Sequence, residues 1–325
     1  MREAILVTGG AGYIGSHVCK ALAAAGYLPV TYDDLRTGHA ELVKWGPLEV
    51  GDVADRARVT EVVKSYRITA CMHLASSAYV GESMTHPERY WHNNVVGGAL
   101  LVDALVQSGV REIVFSSSCA VYGEVALGTL TEESPKAPIN PYGHSKLALE
   151  WLLADRAAAG ALDYVALRYF NAAGSDPEGE TGEWHEPETH IIPLLLEVAL
   201  GRRDAFAIFG DDWPTADGTC IRDFVHVVDI AAAHLLALAG LRSGLRAEAV
   251  NLGSGSGFSV RQVHAVCEQV SGRPIPLIAR PRRSGDAAAL VAANARARAL
   301  LGWQPSYPEL TDMVASAWRY MQQAK

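Results

Sequence analysis

The sequence predicts an α/β fold: a Rossmann-type, doubly wound parallel sheet with a smaller, discontinuous C-terminal α/β domain. Three observations carry that expectation. An apolar run, Ala4-Ile5-Leu6-Val7, breaks into Thr8-Gly9-Gly10-Ala11-Gly12-Tyr13-Ile14-Gly15, and an apolar-periodic stretch follows through Leu22 and Ala25. Strand-like runs then alternate with helical stretches as far as Phe170, the pattern of successive βα units. At Asn171 the composition changes, and Gly, Glu, Pro and Asp dominate up to His190.

The first element is a strand, turn and helix suited to a dinucleotide. Gly9 permits the tight turn, and Gly12 lets the backbone approach a pyrophosphate. Gly15 lets the helix lie close to the sheet, so phosphates meet the unpaired N–H groups of its first turn. Leu28 to Tyr32 reads as the second strand and ends at Asp33-Asp34. Asp33 lies eighteen residues beyond Gly15, where a carboxylate accepts from the adenosine ribose hydroxyls and repels a 2′-phosphate. Arg36 points the other way, since an arginine there could pair with such a phosphate; otherwise it is a surface loop charge. The acid is the stronger sign, and the expected cofactor is NAD.

Pro47 to Val50 reads as the third strand, with Asp52 behind it as an acceptor for the adenine amino group, a helix N-cap, or both. Cys71 to Ala75 is the fourth strand, and its exit loop faces the ligand crevice. Tyr90 to Leu105 is helical, and an amide at Asn93 or Asn94 is either a surface group or a buried bridge. Arg111 to Phe115 is the fifth strand and runs into Ser116-Ser117-Ser118. Tyr142 to Ala158 is a helix with Lys146 one turn beyond Tyr142, and Asp163 to Phe170 is the sixth strand. Asn171 to His190 reads as a long ordered loop or lid.

Beyond it, Ile191 to Leu200 is helical, Ala207 to Phe209 and Thr219 to Val225 are candidate strands, and Asp229 to Ala239 is an apolar helix. Ala249 to Leu252 returns towards the main sheet. Ser259 starts a helix ending near Gly272, Pro274 to Ala279 is strand-like, and Arg280, Arg282 and Arg283 cluster. The last helix runs from about Glu309 to Met321. The division is residues 1–170 for the dinucleotide domain, with return segments near 222–258, and 171–325 mainly for substrate.

Ser118, Tyr142 and Lys146 form the set that carries chemistry. A free tyrosine has a pKa of about 10, too high for a base at neutral pH. The i,i+4 spacing puts the phenol and the ammonium on one helix face. Lowering the phenol to ~7 needs about 4 kcal/mol, which a lysine and a cationic nicotinamide together could supply in a low-dielectric cleft. Ser118 at the strand tip can hold the same substrate hydroxyl. Such a set removes the O–H proton of an alcohol while its carbon gives up hydride.

Composition excludes other classes. A net charge of -8 and a pI near 5.8 argue against non-specific nucleic-acid binding. Cys19, Cys71, Cys119, Cys220 and Cys267 are odd in number and form no CxxC pair, so neither a metal cluster nor a disulfide framework is expected. No stretch reaches the ~18 apolar residues of a membrane span. The expectation is a cytoplasmic, soluble protein with no membrane partner.

Thr8 to Gly15, Ser116 to Gly123 and Tyr142-Gly143-His144-Ser145-Lys146 resemble the extended short-chain dehydrogenase/reductase family. Within it the chain is similar to the UDP-glucose 4-epimerases. Val80-Gly81-Glu82-Ser83, Asn93-Asn94-Val95, Arg168-Tyr169-Phe170-Asn171, Asp217-Gly218-Thr219, Ile221-Arg222-Asp223 and Arg282-Arg283 with Gly285-Asp286 extend the likeness over nearly the whole chain. The Tyr-Lys pair identifies only the superfamily, whereas these later stretches separate a nucleotide-sugar epimerase from ordinary dehydrogenases.

The resemblance implies a set of roles. Tyr142 is the base, Lys146 lowers its pKa and holds the nicotinamide ribose, and Ser118 orients the sugar 4-hydroxyl. Gly9, Gly12, Tyr13, Ile14, Gly15, Asp33, Asp52, Val53, Leu74, Ala75, Asn93, Ser116 and Tyr169 surround a tightly bound NAD that is regenerated in each cycle. Asn171, Arg222 and Arg283 reach the UDP phosphates, for which paired guanidinium forks are suited. Phe170, Ala207, Phe209 and Asp286 complete the substrate side. The implied reaction interconverts UDP-galactose and UDP-glucose through a 4-keto sugar in a homodimer built on the helices around Tyr90–Leu105 and Tyr142–Ala158. Trp91 and Trp151 either contribute to that interface or lie buried inside one subunit.

Some positions depart from the family pattern. The loop Ser76-Ser77-Ala78-Tyr79 lacks a lysine that some relatives place near the cofactor. His190 stands where several relatives have a substrate-contacting asparagine, and Leu290 falls near the residue that limits pocket width. UDP-N-acetylhexosamines and the UDP-xylose/UDP-arabinose pair therefore stay open as substrates. A dehydratase is disfavoured because no carboxylate follows Ser118 before Glu124, and an NADPH-consuming reductase is disfavoured by Asp33. A non-catalytic NAD-binding protein is the rival of a different class.

Overall fold

A computed structural model describes residues 2–123, 128–283 and 286–323; Glu124 and Gly285 lie outside them. The first strands are β1 (Ala4–Thr8), β2 (Leu28–Asp33), β3 (Leu48–Val50), β4 (Ala70–His73) and β5 (Glu112–Ser118). Together with Asp163–Tyr169 and Ala247–Leu252 they form one seven-stranded sheet. Every pairing in it is parallel, and the order runs Ala247–Leu252, Asp163–Tyr169, β5, β4, β1, β2, β3.

The two-residue period of a strand decides where the core lies. Ile5 and Val7 of β1 face one side with Val18 and Leu22 of the helix Tyr13–Ala24, and with Ile230 and Leu238. Leu6 faces the other side with Leu101, Leu105, Leu149 and Leu153. Helices therefore cover both faces, as a wholly parallel sheet requires.

A second sheet has the order Gly257–Ser259, Ile221–His226, Ala289–Ala292, Thr129–Leu130, and Asn171–Ala173 pairs with Ile221–His226. A smaller parallel pair joins Phe206–Phe209 to Leu277–Arg280. Leu195, Leu196, Phe224, Val263, Met313 and Val314 fill the core behind these strands.

Several elements differ from the sequence expectation. Helix Arg56–Tyr66 is capped by Asp55, whose carboxylate accepts from Arg58 N, so Asp52 is not the N-cap. The expected helix Tyr90–Leu105 is three pieces, Pro87–Tyr90, a π-helical Trp91–Gly97 and Gly98–Gln107. The loop expected from Asn171 begins with a short strand, and Ala75 lies beyond the end of β4. Ile221–His226 belongs to the second sheet, whereas helix Val227–Arg242 and strand Ala247–Leu252 return to the first. Ala297, Leu301 and Trp303 return as well, packing in the same core as Ile5. Periodicity cannot show this, because it reports which face is buried and not which sheet buries it. No helix among the described residues is long and apolar enough to cross a membrane.

Candidate active site

The glycine turn has the shape that its spacing predicts. Gly9 takes φ +74°, and a Cβ there would stand 2.6 Å from Ala75 N. A Cβ on Gly15 would stand 2.0 Å from the Gly9 carbonyl oxygen. At Gly12 the same atom would find nothing closer than 3.4 Å, so the turn is open there. Helix Tyr13–Ala24 has no side-chain cap and no acidic residue in its first turn. Its N-terminal N–H groups thus form an uncontested anion site.

Asp33 ends β2 in a buried position, accepting from Ala11 N at 3.0 Å and Leu35 N at 2.9 Å. Burial raises its pKa, while the two backbone donors act to lower it. Arg36 does not reach into this site: its guanidinium is exposed and lies on Asp34 at 2.6 Å and on Asn93 Oδ1 at 2.7 Å. Val53 is buried, and Tyr32 donates to the Asp52 carbonyl at 2.9 Å. Tyr13 donates to the Gly174 carbonyl at 2.5 Å, joining the turn to the second domain. Leu74 N donates to Thr8 O at 3.0 Å, which lays the residues after β4 alongside the turn.

The two adjacent asparagines have different surroundings. Asn94 is buried and accepts from Ser77 N at 2.8 Å. It donates to Ser77 O at 3.0 Å and Ser145 Oγ at 2.9 Å. It is the bridge between the loop after β4 and the helix Pro141–Ala158. Asn93, the one assigned to the cofactor from sequence, is partly exposed and donates to Asn94.

Asn140 caps the helix Pro141–Ala158 by accepting from Gly143 N at 2.8 Å, with Pro141 in its first turn. That start brings Tyr142 close to Ser118, whose hydroxyl acts to lower the phenol. Lys146 is buried and donates to Ser116 O at 2.8 Å and Ser76 Oγ at 2.9 Å. Its Nζ stands 5.8 Å from the Tyr142 ring centre. Ser116 Oγ contacts the Tyr169 hydroxyl. Ser76 therefore occupies the loop noted for lacking a lysine and supplies a hydroxyl to Lys146 instead.

The sequence expectation joined Lys146 to a bound cationic nicotinamide; in the chain by itself burial dominates both groups. Burial outweighs Ser118 and pushes the Tyr142 phenol up to about 12. Burial also pushes the Lys146 ammonium down to about 7, against the pull of Glu150. Without a cation bound beside them, burial thus opposes the charged form of both groups. The site is held ready by its geometry, and its charge has to come from what binds.

A stability prediction follows from the sign of the Lys146 shift. The folded pKa lies below the unfolded value, so the unfolded chain binds more protons between pH ~7 and ~10.5 and stability rises over that window. Lys146→Met is expected to stabilise the ligand-free chain by about 1–3 kcal/mol at pH 7. That gain disappears towards pH 10, as read from urea midpoints along the pH series.

On the substrate side, Asn171 donates to Asp223 O at 2.7 Å, holding it at the seam between Asn171–Ala173 and Ile221–His226. Arg222 donates to Ala287 O at 2.8 Å and lies 3.5 Å from Asp286 Oδ1. Arg283 lies 3.6 Å from Asp286 Oδ2 and 4.1 Å over the Phe209 ring. One carboxylate thus gathers both arginines, and Ala207 and Phe209 share the adjoining strand. Leu290 is opposite Arg222 in the parallel pairing and packs with Phe170 and Cys119. It is therefore adjacent in sequence register to the arginine and in packing to the residue after Ser118. His190 contacts Glu183 and is half-exposed.

Sequence reasoning missed Glu150 and Arg168 as a unit. Arg168 meets Glu150 through two bonds of 2.9 and 2.6 Å, and Ser117 Oγ donates to the same carboxylate at 2.5 Å. Both side chains are 6 % exposed. A buried glutamate in the Tyr-Lys helix was the available signal, since such a charge needs a partner.

Comparisons agree with this geometry. A UDP-glucose 4-epimerase of Rhizobium leguminosarum bv. trifolii is 49% identical over 316 residues, covering 97% of this chain and 96% of that protein. Among solved structures, UDP-glucose 4-epimerase from Brucella ovis in complex with NAD superposes with a TM-score of 0.94 at 47% identity, covering 98% of each chain. UDP-glucose-4-epimerase from Stenotrophomonas maltophila, with bound NAD and formylated UDP-arabinopyranose, gives 0.96 at 38% identity and 100% coverage of both. The sequence model of the NAD dependent epimerase/dehydratase family matches residues 5–253. An open glycine turn, a buried Tyr-Lys helix and full-length likeness converge: the chain belongs to the NAD dependent epimerase/dehydratase family, in its extended short-chain dehydrogenase/reductase branch.

Proposed function

We propose that this chain interconverts UDP-galactose and UDP-glucose by NAD-dependent inversion at C4 through a 4-keto sugar. The observation that carries the reading is that Ser118, next to Tyr142, ends a strand of the same parallel sheet whose β1 leads into a glycine turn open at Gly12, with Arg222 and Arg283 gathered on Asp286 on the substrate side. NAD, when bound, supplies a reversible hydride acceptor. The glycine turn and the uncapped helix N-terminus suit its pyrophosphate, and Asp33 suits its unphosphorylated ribose.

Tyr142 takes the proton of the C4 hydroxyl and gives it back after inversion. Ser118 holds that hydroxyl against the phenol, and Lys146 is anchored by Ser116 O and Ser76 within reach of the cofactor ribose. Arg222, Arg283 and Asn171 grip the diphosphate, so remote binding energy retains the keto sugar while its ring turns over. Leu290 and Phe170 bound the space where it turns. Because hydride leaves and returns within one cycle, the cofactor is kept and regenerated rather than consumed. All five cysteines are free, which suits a reducing, cytoplasmic setting.

The test is an NMR time course with UDP-galactose, UDP-N-acetylgalactosamine and UDP-arabinopyranose, with no cofactor added. Conversion of UDP-galactose without release of NADH is the expected result, and the other two traces report how wide the Leu290 pocket is. No inversion of any sugar, even with added NAD⁺, would overturn the reading.

Gly12→Val separates cofactor binding from folding. A Cβ there meets nothing closer than 3.4 Å, so the variant is expected to lose bound NAD and to melt with the NAD-stripped parent rather than with the loaded one. Gly15→Ala, which forces Cβ into the Gly9 carbonyl, is expected to cost about 1–3 kcal/mol of stability. Chromatography of NAD released on denaturation and a melting curve read the two effects.

The proposed assembly is a homodimer through the face carrying Trp91, Val96 and Trp151, which are 44%, 46% and 63% exposed. Neither tryptophan is buried within one subunit. Exposed large apolar side chains on two neighbouring helices suit a subunit interface, and sedimentation velocity reads the mass.

A further inference from the structure

Four donor side chains from one short segment converge next to the cofactor crevice. Glu183, His185, Glu188 and His190 each offer one ligand atom, all within 4.8 Å of one another. His185 Nδ1 lies 3.2 Å from Glu183 Oε1 and 3.7 Å from Glu188 Oε2. His190 Nδ1 lies 3.7 Å from Glu188 Oε1 and contacts Glu183 Oε1 more closely. Ligands about 2.1 Å from a tetrahedral ion are separated by roughly 3.4 Å, so the spans of 3.2 and 3.7 Å are near those of one coordination sphere, and His190 Nδ1 and Glu183 Oε1 would part to admit an ion. The two carboxylates are only 6% and 7% exposed, and His185 Nδ1 has no well-formed hydrogen bond.

We propose that Glu183, His185, Glu188 and His190 form a binding site for a four-coordinate transition-metal dication of the Zn²⁺ class. Two imidazoles select against Mg²⁺ and Ca²⁺, which take oxygen donors, and two carboxylates offset the charge of the ion. The surroundings give the site a consequence for the cofactor. His185 lies edge-on to Tyr13 and Tyr79, with ring centres 6.0 and 6.1 Å away, and Trp184 stacks on His39 at 3.7 Å. Tyr13 is the first residue of the helix that follows the glycine turn. A bound ion therefore ties residues 183–190 to the rim of the dinucleotide crevice.

The test uses the untagged full-length chain, stripped with EDTA, dialysed and titrated with CoCl₂ and then ZnCl₂. One Co²⁺ per chain, with the strong visible absorption of a four-coordinate ion that one equivalent of Zn²⁺ abolishes, is the expected result. His185→Asn and Glu188→Gln are each expected to weaken binding by at least the roughly 10–100-fold that loss of an outer-shell partner costs. Circular dichroism identifies a variant that fails to fold, in which case the other carries the comparison. Uptake without defined stoichiometry, uptake unchanged in the folded variants, or an intense thiolate-to-cobalt band pointing to a cysteine would each overturn the proposal. None of these readouts involves sugar turnover, so the site stands or falls separately from the epimerase reading.

Discussion

Tyr142→Phe is expected to lower kcat for UDP-galactose by about 10²–10⁴-fold, the range general acid–base groups contribute. The phenol oxygen is the atom placed beside Ser118 to take the C4 hydroxyl proton, and no other side chain shares that position in the helix. Because burial pushes the phenol up to about 12 in the ligand-free chain, reaching ~7 requires roughly 7 kcal/mol of differential stabilisation. Lys146, itself pushed down to about 7, supplies little of that until ligands bind. Phenolate absorbance should accordingly titrate far lower in the NAD-loaded protein than in the stripped one. The rate of the parent protein rises with pH up to the loaded pKa, whereas the residual rate of the variant lacks that dependence. Steady-state assays from pH 6 to 10, with melting curves as a folding control, read both. A variant within about 3-fold of the parent would remove Tyr142 from the role of base.

Arg168→Leu is expected to cost about 3–5 kcal/mol of stability, because it strands the Glu150 carboxylate in the core. Arg168 Nε and Nη2 both reach Glu150, and Nη1 donates to the Tyr122 hydroxyl at 2.9 Å. Tyr122 in turn donates to Asn251 Oδ1 at 2.7 Å, so the network ties the catalytic helix to the strand Ala247–Leu252. The double variant Arg168→Leu with Glu150→Leu should recover much of the loss, since removing both charges leaves none unpaired. Urea midpoints at pH 7.5 for both single variants and the double give the coupling directly. Additive losses would mean that the pair does not act as a unit.

How much was legible depended on how local the physics is. The turn Gly9-Gly10-Ala11-Gly12-Tyr13-Ile14-Gly15 could be read because much of its steric demand is local: Gly15 meets Gly9, and Gly9 takes a positive φ. Tyr142 and Lys146 could be read because a helix fixes their relation at i,i+4. Ser118 followed from its position at the end of an apolar strand.

Other features depend on atoms distant in sequence. Which of Asn93 and Asn94 is buried turns on a π-helical stretch that rotates their side chains relative to an ordinary helix. Trp303 enters the first core because its segment folds back beneath helix Val227–Arg242. The sequence by itself determined the class of cofactor turn, the Tyr-Lys helix and the order of βα units, since each rests on short-range geometry. Only the tertiary structure decided which way burial moves Tyr142 and Lys146, and which partner Glu150 finds, because burial and pairing are set by residues brought together from across the fold.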